Sequence, residues 1–231
     1  MRIAILGSGL MGSALGTAWA RAGNAVVFSY SRDDVKLEQL ARDAGPGAST
    51  TTPNEAVRSA EVVLVSVPWH RLDDALVVAG GPVALSGKIV VSCSLPMRPD
   101  DSDLAIGHDT SGAEQLAARL PGAHFVAAFN TIPSELIRPD LQQMPRDERP
   151  HVLIMGDAPT AKDVVARLAW DAGFTPVDAG GLRVCRWAEP FGLLVAQLAY
   201  TQELGPALGY RFLPERGSGA TISRDTPSGS R

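Results

Sequence analysis

Along this chain, short unbroken apolar runs alternate with segments in which apolar residues recur at helical spacing. The runs Arg2 to Leu6, Ala25 to Tyr30, Glu61 to Val67, Lys88 to Ser92, His124 to Phe129, Val152 to Met155 and Thr175 to Val177 are nearly continuous rather than alternating. That is the pattern of strands covered on both faces. Between them, Ser13 to Ala22, Asp34 to Ala44, Pro53 to Ala60, Leu72 to Ala79, Ser111 to Leu120 and Thr160 to Ala172 read as helices. Thr52 followed by Pro53 marks one helix start, because proline is pre-set for the first turn. A last, long helix is predicted over Leu182 to Leu208, kinked or split at Pro190, whose ring removes an N–H and crowds the preceding turn. Pro96 to Thr110 is polar and aspartate-rich, and reads as a mobile loop or a lid. The alternation predicts an α/β protein: a Rossmann-type, doubly wound and mainly parallel sheet with a small C-terminal helical part.

The first βαβ unit carries the chemistry. Gly7, Gly9 and Gly12 follow the first strand at G-x-G-x-x-G spacing and open a helix. Each glycine has its own reason: a tight turn at Gly7, backbone approach to a pyrophosphate at Gly9, and close helix–strand packing at Gly12. Helix N–H groups would then meet the phosphates. At the end of the second strand an NAD site places Asp or Glu, about 20 residues past the glycines. This chain has Ser29, Tyr30, Ser31 and Arg32, with Lys36 one turn on. A hydroxyl and two cations suit a 2′-phosphate, so NADP(H) is the expected cofactor. Asp33 and Asp34 would oppose it unless their side chains turn away.

Composition narrows the rest. The chain has 231 residues, 45% of them hydrophobic, and a net charge of −4. It can bury a sizeable core, and it lacks the basic runs expected of a nucleic-acid or anionic-membrane binder, so the expected partner is a small molecule. Cys93 and Cys185 stand apart, without metal-ligand neighbours, and read as reduced thiols of a cytoplasmic protein; no metal site is expected. No run approaches the ~18 apolar residues of a membrane span, and the first apolar run is too short for a signal peptide. Glu215 to Arg231 has few apolar residues and reads as a disordered tail. The chain is thus divided into an NADP-binding Rossmann domain over 1–180, a helical extension over 181–213 that closes the acceptor site, and a tail over 214–231.

Ligands of doubly wound sheets bind outside the carboxyl ends of the strands, so three segments should converge. They are Gly7 to Met11, Val67 to His70 with Pro68 and Trp69, and Asn130 to Pro133. Together with Ser31 and Arg32, with Val177 to Leu182 and with Gln202 to Gly205, this ordered set resembles the NADPH-dependent reductases of the deazaflavin coenzyme F420. It is also similar to the cytosolic reductase modules of six-transmembrane metalloreductases, which use NADPH and flavin. The resemblance covers roughly residues 1–213. It implies that Ser8, Gly9, Leu10 and Met11 line the pyrophosphate, and that Ser31, Arg32 and Lys36 hold the 2′-phosphate. Val67, Pro68, Trp69 and His70 would flank the ribose and nicotinamide. Asn130, Thr131 and Ile132 would surround the nicotinamide and the acceptor, and Leu204 and Gly205 would contact that acceptor, coenzyme F420 or FMN/FAD.

Hydride transfer between flat rings needs stacking and water exclusion more than a strong acid or base. The histidines fit that economy: His124 and His151 start strands, and only His70 sits at a ligand-facing strand end. A flavin or ferric reductase is a second reading. An imine or carbonyl reductase is another, with His70, Tyr200 or Tyr210 as proton donor. A non-catalytic NADPH sensor is the third. Phe191, Leu194 and Leu198 recur at helical spacing, which suggests a homodimer face or packing on the sheet.

Overall fold

The computed structural model describes residues 1–202 and 204–213. The predicted tail and Glu203 lie outside them. The strands are β1 (Arg2–Leu6), β2 (Ala25–Ser29), β3 (Ala48–Thr50), β4 (Val62–Val65), β5 (Ile89–Ser92), β6 (His124–Ala128), β7 (His151–Gly156) and β8 (Thr175–Gly180). They form one sheet in the order β3-β2-β1-β4-β5-β6-β7-β8, parallel throughout except that β6 pairs antiparallel with β7. The strand order reverses between β1 and β4, the crevice where such sheets bind ligands.

The helices are α1 (Leu10–Arg21), α2 (Asp34–Ala44), α3 (Pro53–Ser59), α4 (Leu72–Val78), α5 (Gly81–Leu85), α6 (Gly112–Ala118), α7 (Pro159–Asp171) and α8 (Cys185–Tyr200). Because helices cover both faces, two separate cores form. One gathers Ile3, Ile5, Trp19, Phe28, Phe129 and Phe174, and the other Ala4, Leu6, Val63, Val65, Leu85 and Leu116. Adjacent β1 residues thus point into different cores, which is why the run has no polar alternation.

Several expectations need correction. The final helix stops at Tyr200 instead of reaching Leu208, and the helix runs unbroken through Pro190. Pro190 is exposed, so the i−4 carbonyl it leaves free can be met by solvent. Tyr30 is not part of β2, because its φ of 59° takes the chain out of the extended region. Helix α1 begins at Leu10, three residues before the expected Ser13, and β8 runs on to Gly180. The short β3 and α5 were not anticipated; three and five residues are too few to display a period. The Pro96 to Thr110 segment folds as a short hairpin, with Met97 bridged to Leu104 and the Ala105 N–H donating to the Pro96 carbonyl at 2.7 Å.

Candidate functional site: a cleft along the strand ends

The glycine loop is built by its own collisions. At Gly7, φ is 103° and a Cβ would stand 2.5 Å from the Ser66 carbonyl oxygen. At Gly12 a Cβ would come within 2.0 Å of the Gly7 carbonyl oxygen and 2.4 Å of Ser66 Oγ. Ser66 Oγ donates to that same carbonyl at 2.7 Å and ties β4 to the loop. Gly9 differs, because a Cβ there would meet nothing within 4 Å. The protein itself does not require glycine at this position. Gly9 is also the N-cap of α1, no side chain caps the helix, and its first turn holds no acidic residue. An uncapped twelve-residue helix facing open space suits a pyrophosphate.

From there a cleft of about 480 Å³ runs across the strand ends. Gly9, Leu10 and Met11 form one end, and Val67, Pro68, Trp69 and His70 continue it. Asn130 and Ile132 follow, opposite Val195 and Ala196 of α8. Helix α8 reaches this position because Gly192 packs on the turn after β6, where a Cβ would lie 2.6 Å from the Asn130 carbonyl oxygen. Ahead of Asn130, Phe129 holds φ at 63°, an unusual conformation for a bulky residue and one that turns the chain out of β6. Asn130 is only 6% exposed, yet its Oδ1 has no hydrogen-bond partner among the described residues. A buried polar atom of this kind costs about 1–3 kcal/mol until a ligand satisfies it.

Of the remaining expected residues, Ser8 is outside the lining and donates its hydroxyl to the Ser29 carbonyl at 3.3 Å, and the others fall into two groups. Ser31, Arg32 and Lys36 lie exposed at the end of β2. Ser31 Oγ donates to the Asp33 carbonyl at 3.0 Å, and the Asp33 carboxylate accepts the Lys36 N–H as the N-cap of α2. Asp33 therefore turns toward its own helix, which relieves its share of the opposition expected from Asp33 and Asp34. Arg32 has no ion-pair partner among the described residues. The second group is not in the cleft lining. Thr131 is buried with its hydroxyl 2.6 Å from the Tyr210 hydroxyl, and Leu204 and Gly205 lie past the end of α8. Phe191 packs on Tyr210, 4.9 Å between ring centroids, whereas Leu194 stays exposed.

Other lining residues escaped the sequence reading. Cys93, Ser94 and Leu95 follow β5, where the strand-end rule itself would have found them. Met97, Arg98 and Asp101 come from the hairpin, which no local signal aims at the cleft. Burial pushes the Cys93 thiol up to about 12, so it is an inert wall rather than a nucleophile at neutral pH. Among the proton donors considered, Tyr210 is half-buried, its hydroxyl held against Thr131. Tyr200 reaches the cleft but donates to Glu135 at 2.8 Å, and burial together with that carboxylate raises its phenol to about 12. His70 lies exposed in the lining.

Fold, uncapped glycine loop and strand-end cleft are those of a dinucleotide-binding α/β protein, and similarity to known reductases supports an NADP-dependent oxidoreductase. Residues 2–96 match the family described as NADP oxidoreductase, coenzyme F420-dependent. The chain is 35% identical over 192 residues to the metalloreductase STEAP3 of Rattus norvegicus, covering 83% of this chain and 36% of that one. It thus spans about a third of the length of that curated relative. A proposed F420-dependent NADP-reductase from Arthrobacter sp. FB24 superposes with a TM-score of 0.80 at 23% identity, covering 93% of this chain and all of that one. An imine reductase of Streptomyces aurantiacus shares the fold with a TM-score of 0.61 at 20% identity, over 85% of this chain and 61% of that one. No helix among the described residues is long and apolar enough to cross a membrane, and none of their His, Cys, Asp and Glu side chains cluster as metal ligands.

Proposed function

We propose that the chain moves a hydride between NADP(H) and a flat heteroaromatic acceptor, coenzyme F420 or a flavin. The observation that supports it is the single cleft joining the uncapped start of α1 to the unpaired amide of Asn130 under α8. The nicotinamide supplies the hydride chemistry when bound. The chain's own residues bind, orient and exclude water. Backbone N–H groups from Gly9 onward receive the pyrophosphate, and Arg32 with Ser31 and Lys36 the 2′-phosphate. Pro68, Trp69 and His70 flank the ribose. The Asn130 amide pairs with a polar group of the ring system and fixes its rotation, which near-contact transfer demands. Leu95, Val195 and Ala196 present a dry wall of modest size against which a second ring can lie. Leu204 and Gly205 are read as edges of that acceptor site.

An imine or carbonyl acceptor is the second reading, because His70 and Tyr200 both line the cleft and such a substrate needs a proton. The exposed Leu194 on α8 is consistent with a homodimer, which sedimentation of the purified chain would check. The direct test follows NADPH oxidation by its near-ultraviolet absorbance with coenzyme F420, free flavins, a ferric chelate plus flavin, and a cyclic imine in parallel. Turnover confined to the deazaflavin or flavin arms supports the proposal. Turnover confined to the imine replaces it with the second reading, and NADPH binding without any turnover makes the chain a sensor.

A further inference from the structure

At the end of the sheet away from Asn130, two charged residues have no part in hydride transfer. Tyr30 follows β2 in the left-handed region, at a φ of 59°, which a bulky side chain rarely adopts. The Tyr30 hydroxyl meets the start of α4, donating to Asp74 Oδ2 at 2.6 Å and accepting from Arg71 Nη2 at 3.1 Å. Arg71 Nη2 also reaches Asp74 Oδ2 at 3.0 Å, and its guanidinium carbon lies 6.0 Å from the centre of the Tyr30 ring. Burial and the Asp74 hydrogen bond raise the Tyr30 phenol, so its hydroxyl stays protonated and keeps donating.

The placement of this cluster matters more than its internal bonds. Strands β2, β1 and β4 are neighbours, with Ser29 and Val65 both level with Leu6, so the loops after them leave the sheet together. Tyr30 immediately precedes Ser31 and Arg32, and Arg71 comes from the turn after β4. We propose that Arg71 is a specificity-determining residue, a further cation beside Arg32 and Lys36 that recognises the adenosine 2′-phosphate of NADP(H). The proposal rests on the NADP(H) reading of the cleft. Tyr30 and Asp74 act as positioning residues that hold the guanidinium at the rim.

Three features carry this assignment. Arg71 spends Nε and Nη2 on Tyr30 and Asp74, while Nη1 has no partner among the described residues. A 2′-phosphate brings close to two negative charges and three acceptor oxygens, and a guanidinium can bind two of those oxygens at once. Two of the nearby carboxylates are occupied as well: Asp33 caps α2, and Asp74 is shared between Tyr30 and Arg71.

The test is equilibrium binding to the full chain, read by tryptophan fluorescence, of NADPH and NADH and then of 2′,5′-ADP and 5′-ADP. The wild type should prefer NADPH and 2′,5′-ADP. Arg71→Ala should weaken both by about tenfold, the value of one charge-assisted hydrogen bond, and leave NADH and 5′-ADP nearly unchanged. Arg71→Lys should recover part of the loss. Tyr30→Phe should shift selectivity the same way by a smaller factor at an unchanged melting temperature. Equal weakening of NADPH and NADH by Arg71→Ala, or no change in either, overturns the proposal while leaving the NADP(H) reading intact. A wild type that binds NADPH and NADH equally overturns both.

Discussion

Gly7 to Gly12 and the Asn130 rim line the same cleft, yet they are assembled in opposite ways. The glycine loop is contiguous in sequence and offers backbone N–H groups to its ligand, so its shape follows from missing side chains. The Asn130 end draws on β5, β6, the hairpin and α8, and its key group is a side chain left unpaired by the fold. Backbone recognition survives any surroundings that keep the turn. Side-chain recognition depends on every element packed behind it. The cofactor end should therefore be the more constant of the two, and the acceptor end the one that can be retuned.

The largest effect should come from within the loop. Gly12→Ala drives a Cβ into the Gly7 carbonyl, and a loss of about 3 kcal/mol is expected from the denaturation midpoint. Wild-type stability in that variant would mean that the loop is not fixed by its own packing. Next is the packing behind the acceptor end. Glu189 of α8 is buried and accepts the N–H groups of Gly112 and Ala113 at 2.9 and 2.8 Å, joining α8 to α6. Burial, opposed by those two hydrogen bonds and aided by Glu114, raises its carboxyl from 4.5 to about 7. The folded value lies above the unfolded one, so its contribution to stability is complete below pH about 4.5 and is lost as pH rises through about 7. Over that window the wild type should lose on the order of 3 kcal/mol that Glu189→Gln does not, at about 1.36 kcal/mol per unit. Parallel melting curves for the two proteins across that range would refute the assignment.

A smaller effect separates structure from binding. Gly9→Ala should leave stability within about 0.5 kcal/mol, because its Cβ meets nothing, while NADPH affinity falls about tenfold. Unchanged affinity would remove the pyrophosphate from this turn. The smallest shift, and the sharpest contrast, is Asn130→Leu. Replacing an unpaired buried amide by an apolar side chain of similar size should stabilise the unliganded chain by about 1 kcal/mol and slow NADPH oxidation. A variant that is both less stable and fully active would show that Asn130 serves the fold and not the reaction.

The difference between the two ends also governs what could be read in advance. Strands such as Val62–Val65 were legible because burial on both faces demands an unbroken apolar run. The helix over Asp34–Ala44 was legible because one amphipathic face repeats each turn. The early stop at Tyr200 had a signal that the reading of the long helix passed over: Gly205 and Pro206 break any helix toward Leu208, and the chain beyond packs Tyr210 against Thr131 and Phe191. The hairpin from Met97 to Leu104 was hidden, because its polar composition is that of any loop.

By itself the sequence determined the strand–helix alternation, the glycine turn and the cation-bearing end of β2, because these depend on local sterics and on the period of burial. Only the tertiary structure decided that Asn130 would be buried without a partner, that Arg71 would stand beside Tyr30, and that α8 would wall the cleft. Those contacts join residues far apart in the chain, and their existence depends on how the elements pack rather than on what any one of them prefers.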